Sequence, residues 1–286
     1  MPAARHVLLP ILAVAQPGLW APATVKDKYF TTSDGVKLHY LESGTGPTIL
    51  FVPGWTMPAA IWQPQIDYFS KAYHVVAVDP RSQGDSDKPV EGNYPGQRAQ
   101  DYKELIDHLG ESPVVFVGWS LAVYEALTFV DRFGTGKLNG LVLIDFNIYT
   151  PSTQEDRDAR FAMFHDIQAD RKHFADTFVR GMYHKPHPKQ YLDSIVAASL
   201  KTPSNSAVAL LAERGVKTDL RFVLPKLNIP VLAMMTSSNR SAAELITASV
   251  PGSQGEVFED AGHCLFVDDT DRFNMLLEIF VKKTAK

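Results

Sequence analysis

Short, unbroken apolar runs alternate along this chain with longer stretches whose apolar residues recur at helical spacing. The first two segments differ. Residues 25–30 and 37–42 alternate polar and apolar positions around Asp34-Gly35, a pattern that predicts an antiparallel hairpin with one wet face. Six further runs follow at 49–52, 75–78, 114–117, 141–144, 231–235 and 256–258. Most are continuous in Val, Ile and Leu, as strands covered on both faces must be. Between them, 61–70, 97–109, 120–133, 241–250 and 271–283 carry helical patterns. The alternation predicts an α/β fold: a mostly parallel central sheet with helices on both faces.

One segment interrupts this rhythm. From Phe146 to about Leu224 no strand pattern is convincing, and helix-like stretches are separated by Pro186, Pro188 and Pro203. Most apolar residues here (Phe161, Met163, Phe164, Ile167, Phe174, Phe178, with Met182 and Tyr183) serve as a bundle core. An excursion between two sheet strands also tends to sit over their carboxyl ends, where ligands bind in such folds. Residues 146–224 are therefore expected to form a helical cap whose inner apolar residues line a pocket. Residues 25–145 and 225–286 are expected to form the core, with 1–24 as an N-terminal extension.

Composition narrows the partners more than the chemistry. With a net charge of −4 there is neither a basic footprint for nucleic acid nor a polybasic face for anionic membranes. No apolar run is long enough to span a bilayer. A single cysteine, Cys264, rules out an internal disulfide, so the core must hold the fold. Arg5, the apolar stretch from Val7 and the ending Ala13-Val14-Ala15 read as a signal peptide over 1–15. That reading predicts a secreted or periplasmic protein; the alternative is a cytoplasmic one with a loose apolar extension.

Candidate chemistry begins at Gly118-Trp119-Ser120-Leu121-Ala122, between the strand-like 114–117 and a helical run from Val123. A serine at a sharp strand-to-helix turn, with small residues two places either side, is the signature of a nucleophile elbow. Serine needs a neighbouring base, and His263 in Ala261-Gly262-His263 follows the last predicted strand, at the same sheet edge. His39, His74, His108, His184 and His187 read as surface or packing residues. Cys264 adjoins His263 but points elsewhere on the chain, and is expected to be a small buried residue. No cluster has metal-ligand spacing and no nucleotide-binding motif is present, so neither a metal nor a cofactor is expected.

Four motifs in order now make a resemblance specific: Val52-Pro53-Gly54-Trp55, Asp79-Pro80-Arg81-Ser82-Gln83-Gly84-Asp85-Ser86, the elbow, and Ala261-Gly262-His263. From about Lys26 onward the chain resembles the α/β-hydrolase superfamily, within it the small capped esterases and cofactor-free haloperoxidases. The resemblance implies catalysis by Ser120 and His263, with an oxyanion hole from the backbone N–H groups of Trp55 and Leu121. Pro53 stands where the family usually has His; proline has no N–H and is excluded as a donor. Asp79 is expected to shape its loop with Arg81. The family's acid usually follows the strand here at 231–235, but Thr236-Ser237-Ser238-Asn239-Arg240-Ser241 contains no carboxylate. Some members carry the acid one strand earlier, which points to Asp145. Glu244, or a Ser–His pair without an acid, are the alternatives.

The resemblance implies hydrolysis of an ester, thioester or lactone, and small-molecule substrates. A serine at the elbow excludes haloalkane dehalogenases and epoxide hydrolases, which need Asp there. Two other classes stay open: perhydrolase, haloperoxidase or dioxygenase chemistry on the same residues, and a slow-turnover ligand-binding or signalling protein. Met57, Trp119, Phe146 and Tyr149 are expected to line the substrate pocket. With no charged residue evidently placed to read a carboxylate, the expected substrate is neutral and apolar.

Overall fold

The computed structural model describes residues 24–110, 113–150, 153–212 and 218–284. The expected signal peptide lies outside them. The chain opens with the antiparallel hairpin β1 (Lys26–Thr31) and β2 (Lys37–Ser43), then runs through β3 (Thr48–Val52), α1 (Gln63–Phe69), β4 (His74–Val78), α2 (Pro95–Leu109), β5 (Val114–Trp119), α3 (Leu121–Phe133) and β6 (Leu138–Ile144). A two-residue strand, β7 (Tyr149–Thr150), leads into four helices: α4 (Gln154–Ala169), α5 (Arg171–Gly181), α6 (Lys189–Ser199) and α7 (Ser204–Ala212). The chain returns through β8 (Thr218–Asp219), β9 (Val231–Thr236), α8 (Arg240–Ser249), β10 (Gln254–Phe258), the short α9 (Leu265–Asp268) and α10 (Thr270–Thr284).

Eight strands form one sheet in the order β1-β2-β4-β3-β5-β6-β9-β10. The pairings β1·β2 and β2·β4 are antiparallel; the others are parallel. The small ribbon of β7 and β8, absent from the sequence reading, ties the start of the helical excursion to its end. No helix among the described residues is long and apolar enough to cross a membrane.

The unbroken apolar runs are explained by burial on two sides. Successive side chains of a strand point to opposite faces. On β5, Val114 and Phe116 therefore join the core beneath α2, α3 and α8, while Val115, Val117 and Trp119 join the one beneath α1 and α10. Strands β6 and β9 divide in the same way, with Leu141 and Leu143 opposite Val142 and Ile144, and Ala233 opposite Met234. A third cluster of Trp55, Leu121, Ile167, Ala207, Leu210 and Leu211 joins the carboxyl edge of the sheet to α4 and α7.

Helix α3 starts directly after Ser120, so whatever fixes α3 also fixes the serine. Within that helix Glu125 is fully buried, accepting from Arg98 Nη1 on α2 at 2.9 Å and from the Tyr102 hydroxyl at 2.5 Å. Arg98 Nη2 also donates to the Arg81 carbonyl at 2.7 Å, linking both helices to the loop after β4. Removing one partner of such a pair strands a charge in the core, whereas replacing both by apolar groups does not. Glu125→Ala is therefore expected to lower stability by about 3–5 kcal/mol, and Arg98→Met with Glu125→Leu to recover most of the loss. Urea denaturation of the three proteins reads both effects.

Candidate active site

The elbow is strained where the sequence places it. Ser120 has φ 57° and ψ −120°, and its N–H donates to the Ile144 carbonyl at 2.8 Å. Its neighbours must be small because backbones meet there. A Cβ on Gly118 would lie 2.8 Å from the Ala122 carbonyl oxygen, and one on Gly54 2.9 Å from the Ser120 Cβ. Among the described residues the other non-glycine positions with positive φ are Thr56, Ser82 and Asp145. They follow β3, β4 and β6, so all four strained positions sit at the carboxyl edge of the sheet.

At that edge Ser120, His263 and Asp145 come together. Nδ1 of His263 lies 2.7 Å from Asp145 Oδ2, and Nε2 lies 2.8 Å from Ser120 Oγ. A carboxylate only accepts, so Nδ1 carries the proton and Nε2 is left to accept from the serine hydroxyl. The other carboxylate oxygen, Oδ1, accepts from the Thr236 N–H at 2.8 Å, the Thr236 hydroxyl at 2.7 Å and Asn239 Nδ2 at 3.0 Å. Burial alone would push the Asp145 carboxyl upward; the bonds from His263 and Thr236 outweigh it and hold the pKa below the ordinary carboxylate value. Glu244 is exposed on α8 and takes no part.

Three contacts orient His263 and the surroundings of Ser120. Trp119 Nε1 donates to the His263 carbonyl at 2.8 Å, and the two rings lie 5.1 Å apart. Gln83 is fully buried and clasps the turn after β3, donating to the Gly54 and Met57 carbonyls and accepting from the Thr56 N–H at 3.0 Å. Trp55 is fixed from its ring, whose Nε1 donates to the Ala207 carbonyl on α7 at 2.7 Å while Phe174 and Phe178 meet it edge-on. Leu121 is the first residue of α3, so its N–H has no helical partner one turn back.

A cavity of about 310 Å³ opens on Ser120 and His263. Trp55, Leu121 and Phe146 line its floor side, and Met163, Phe174 and Phe178 of α4 and α5 its other wall. The pocket reading needs correcting elsewhere. Met57 is fully buried in the core and bound to Gln83; Trp119 points away from the cavity, because its side chain follows the strand's alternation into the core under α10. Tyr149 sits on β7 with the Arg221 guanidinium 3.7 Å from its ring centroid, outside the lining. Arg160 of α4 does line the cavity, where the sequence reading placed no charge.

A family model described as the α/β hydrolase family matches residues 49–276. The chain belongs to that family. A 2-(acetamidomethylene)succinate hydrolase of Mesorhizobium japonicum is 28% identical over 231 residues, covering 75% of this chain and 80% of its own. A non-heme chloroperoxidase of Kitasatospora aureofaciens is 26% identical over 279 residues, covering 88% and 98%. Among solved structures, an esterase of Exiguobacterium antarcticum superposes with a TM-score of 0.83 at 24% identity, over 90% of this chain and all of that one.

Of the other residues singled out from sequence, Asp79 and Arg81 of this hydrolase do not pair with each other as expected. Asp79 accepts from the Ala59 N–H at 2.5 Å, the Asp85 N–H at 2.8 Å and His39 Nδ1 at 2.7 Å. Arg81 turns instead to Asp101, with its Nε and Nη2 on the two carboxylate oxygens at 2.6 and 2.5 Å, and to Asp34. His39, read as a surface or packing residue, is a buried one, with Nε2 on Asp27 at 3.0 Å. Both of its nitrogens face carboxylates, and with Asp79 and Asp85 it forms a cluster whose ligand atoms all lie within 4.8 Å of one another, a grouping the sequence reading did not expect. Cys264 is buried, and burial pushes its thiol well up.

The most informative residue missed from sequence is Asp268. Its buried carboxylate accepts from the N–H groups of Gly262 and His184, both at 2.7 Å, and from His187 Nε2 at 2.8 Å. It thereby binds the loop carrying His263 to the segment after α5, as does the Cys264 N–H on the Met182 carbonyl at 3.0 Å. Only an acceptor of several N–H groups suits this position, and nothing in Leu265-Phe266-Val267-Asp268 announces it.

Two predictions follow from these contacts. Asp268→Asn puts an NH₂ group among donors and displaces the His263 loop; turnover is expected to fall about 10²-fold with KM little changed, since misplacement of about 1 Å costs that much. Steady-state kinetics on any substrate the enzyme accepts checks it. For His39, burial lowers the imidazole pKa, but Asp79 and then Asp27 more than offset this and raise it above 6.5. A raised folded pKa contributes stability that is full below the unfolded value and is lost as pH rises through the folded one. The stability difference between wild type and His39→Gln should therefore shrink as pH rises from 6 to 9 in urea titrations.

Proposed function

We propose that this hydrolase cleaves carboxylic esters, with thioesters and lactones as chemically equivalent substrates, by serine-dependent acyl transfer. The observation that carries the reading is the hydrogen-bonded line from Ser120 through His263 to Asp145, at 2.8 and 2.7 Å, opening on an apolar-walled cavity. Ser120 Oγ attacks the carbonyl carbon as His263 Nε2 takes its proton. Asp145 holds the tautomer and stabilises the imidazolium that forms. The N–H groups of Trp55 and Leu121 receive the developing oxyanion. The proton on Nε2 then passes to the departing alkoxide as the C–O bond breaks, and water, deprotonated by the same nitrogen, releases the acid. Helices α4 to α7 act as the cap, supplying one wall of the acyl pocket.

The chloroperoxidase among the relatives supports one second reading: hydrogen peroxide replaces water in the last step and the product is a peracid. Both readings share the acyl-enzyme, so one assay tests their common part. Wild type should show a burst and turnover with p-nitrophenyl acetate and butyrate, and Ser120→Ala neither. Asp145→Asn should reduce kcat by about 10⁴-fold, as a wrong tautomer does. Near wild-type turnover in Asp145→Asn would remove that residue from the mechanism; no burst and no turnover in wild type would defeat the esterase reading. Adding peroxide and trapping peracid distinguishes the two acceptors.

A further inference from the structure

Arg160 is the one Lys or Arg among the described residues that line the cavity holding Ser120 and His263. Its Nε is buried with no hydrogen-bond partner among the described residues. No described carboxylate lies within ion-pair distance of it, a condition it shares with Arg132 and Arg171, whereas Arg81, Arg98, Arg180, Arg221, Arg240 and Arg272 each meet one. The intrahelical candidate, Asp156, one turn earlier on α4, gives Oδ2 to the Thr153 N–H at 2.9 Å and hydroxyl at 2.7 Å in the cap of that helix, and meets Arg160 only through a coulombic attraction without an ion-pair contact. Asp145, the carboxylate among the described cavity-lining residues, has both oxygens occupied.

The position on the helix is equally telling. Arg160, Met163, Phe164 and Ile167 stand at i, i+3, i+4 and i+7, one stripe of α4, and the last three pack into the cluster around Trp55 and Leu121. Arg160 is half-buried at the head of this inward apolar stripe, and its buried Nε–H lacks the acceptor that a buried polar group needs. A guanidinium in an apolar-walled pocket suits a planar monoanion, which its Nε–H and Nη–H engage in parallel. A cavity of about 310 Å³ is small for a ligand site and fits a substrate of a few carbons.

We propose that Arg160 binds a carboxylate carried by the substrate, so that the enzyme prefers half-esters of small dicarboxylic acids, or esters of similar span ending in a carboxylate, to neutral esters. This rests on the esterase reading and replaces the neutral substrate expected from sequence. The ester carbonyl lies at Ser120, the carboxylate at Arg160, and the apolar residues between them cover the linking methylenes.

Monomethyl adipate and methyl hexanoate test it, because they differ only in a terminal carboxylate against a methyl group. Wild type should show the higher kcat/KM for monomethyl adipate. Arg160→Leu should lower that preference about 10- to 100-fold, the worth of a hydrogen-bonded charge, chiefly through KM, and Arg160→Lys should restore part of it. A preference unchanged in Arg160→Leu, or a wild type that favours methyl hexanoate, overturns the proposal. Calorimetric binding of both esters to Ser120→Ala, with and without Arg160→Leu, reads the same site without turnover. If wild type hydrolyses neither ester yet Ser120→Ala binds monomethyl adipate in an Arg160-dependent way, the esterase reading fails and the carboxylate site stands. If both esters are hydrolysed and Arg160 changes neither assay, the carboxylate site fails and the esterase reading stands.

Discussion

The arrangement at the sheet edge depends on how one buried carboxylate shares out its two oxygens. Asp145 gives Oδ2 to His263 and Oδ1 to Thr236 and Asn239. A charge buried this deeply is tolerable only when its lone pairs are filled. Four donors fill them, three from the turn after β9 and one from the loop after β10. The family resemblance placed the acid itself in that turn. Here it holds Thr236 and Asn239, so the strand that lacks the carboxylate supplies the donors that orient the one beside it.

Backbone strain and buried charge complete the setting. Ser120 and Asp145 both have positive φ, a conformation costly for any residue with a Cβ. The parallel sheet, packed on both faces, over-determines them: the Ser120 N–H is held by the Ile144 carbonyl, and the Asp145 N–H by Met234 at 2.9 Å. Beneath, Glu125 with Arg98 anchors the helix that carries the elbow, and Asp79 with His39 anchors the loop after β4. Two histidines show how surroundings assign roles. His39 lies between two carboxylates, which favour its cationic form; His263 has a carboxylate on one nitrogen and a hydroxyl on the other, the arrangement of a base.

The helical excursion is joined to the base as well as to the cavity. Asp268 links Gly262 to His184 and His187, and Trp55 links the turn after β3 to Ala207. Displacement of these helices would therefore move His263 and Trp55 as well as open the cavity. Binding energy from a distal substrate group at Arg160 acts on the same helices that position the reacting groups, which is how remote contacts contribute to rate.

Local order was legible in the sequence. The apolar runs marked the strands because two-sided burial leaves no polar position to interrupt them. The elbow was legible because its requirements, small residues at 118 and 122 around a serine between strand and helix, fall on five adjacent positions. The vacancy after β9 singled out Asp145 from a missing residue type. What folding alone decided concerns where side chains point across long separations. Trp119 adjoins the serine yet turns into the core, because neighbours on a strand face opposite ways. Arg160 is one charge among many on a helix until α4 docks with that stripe inward. Asp268 is an ordinary acidic residue until three N–H donors from two segments, 84 residues apart at His184, converge on it. Periodicity records which face of an element is buried; only the packed structure records what that face meets.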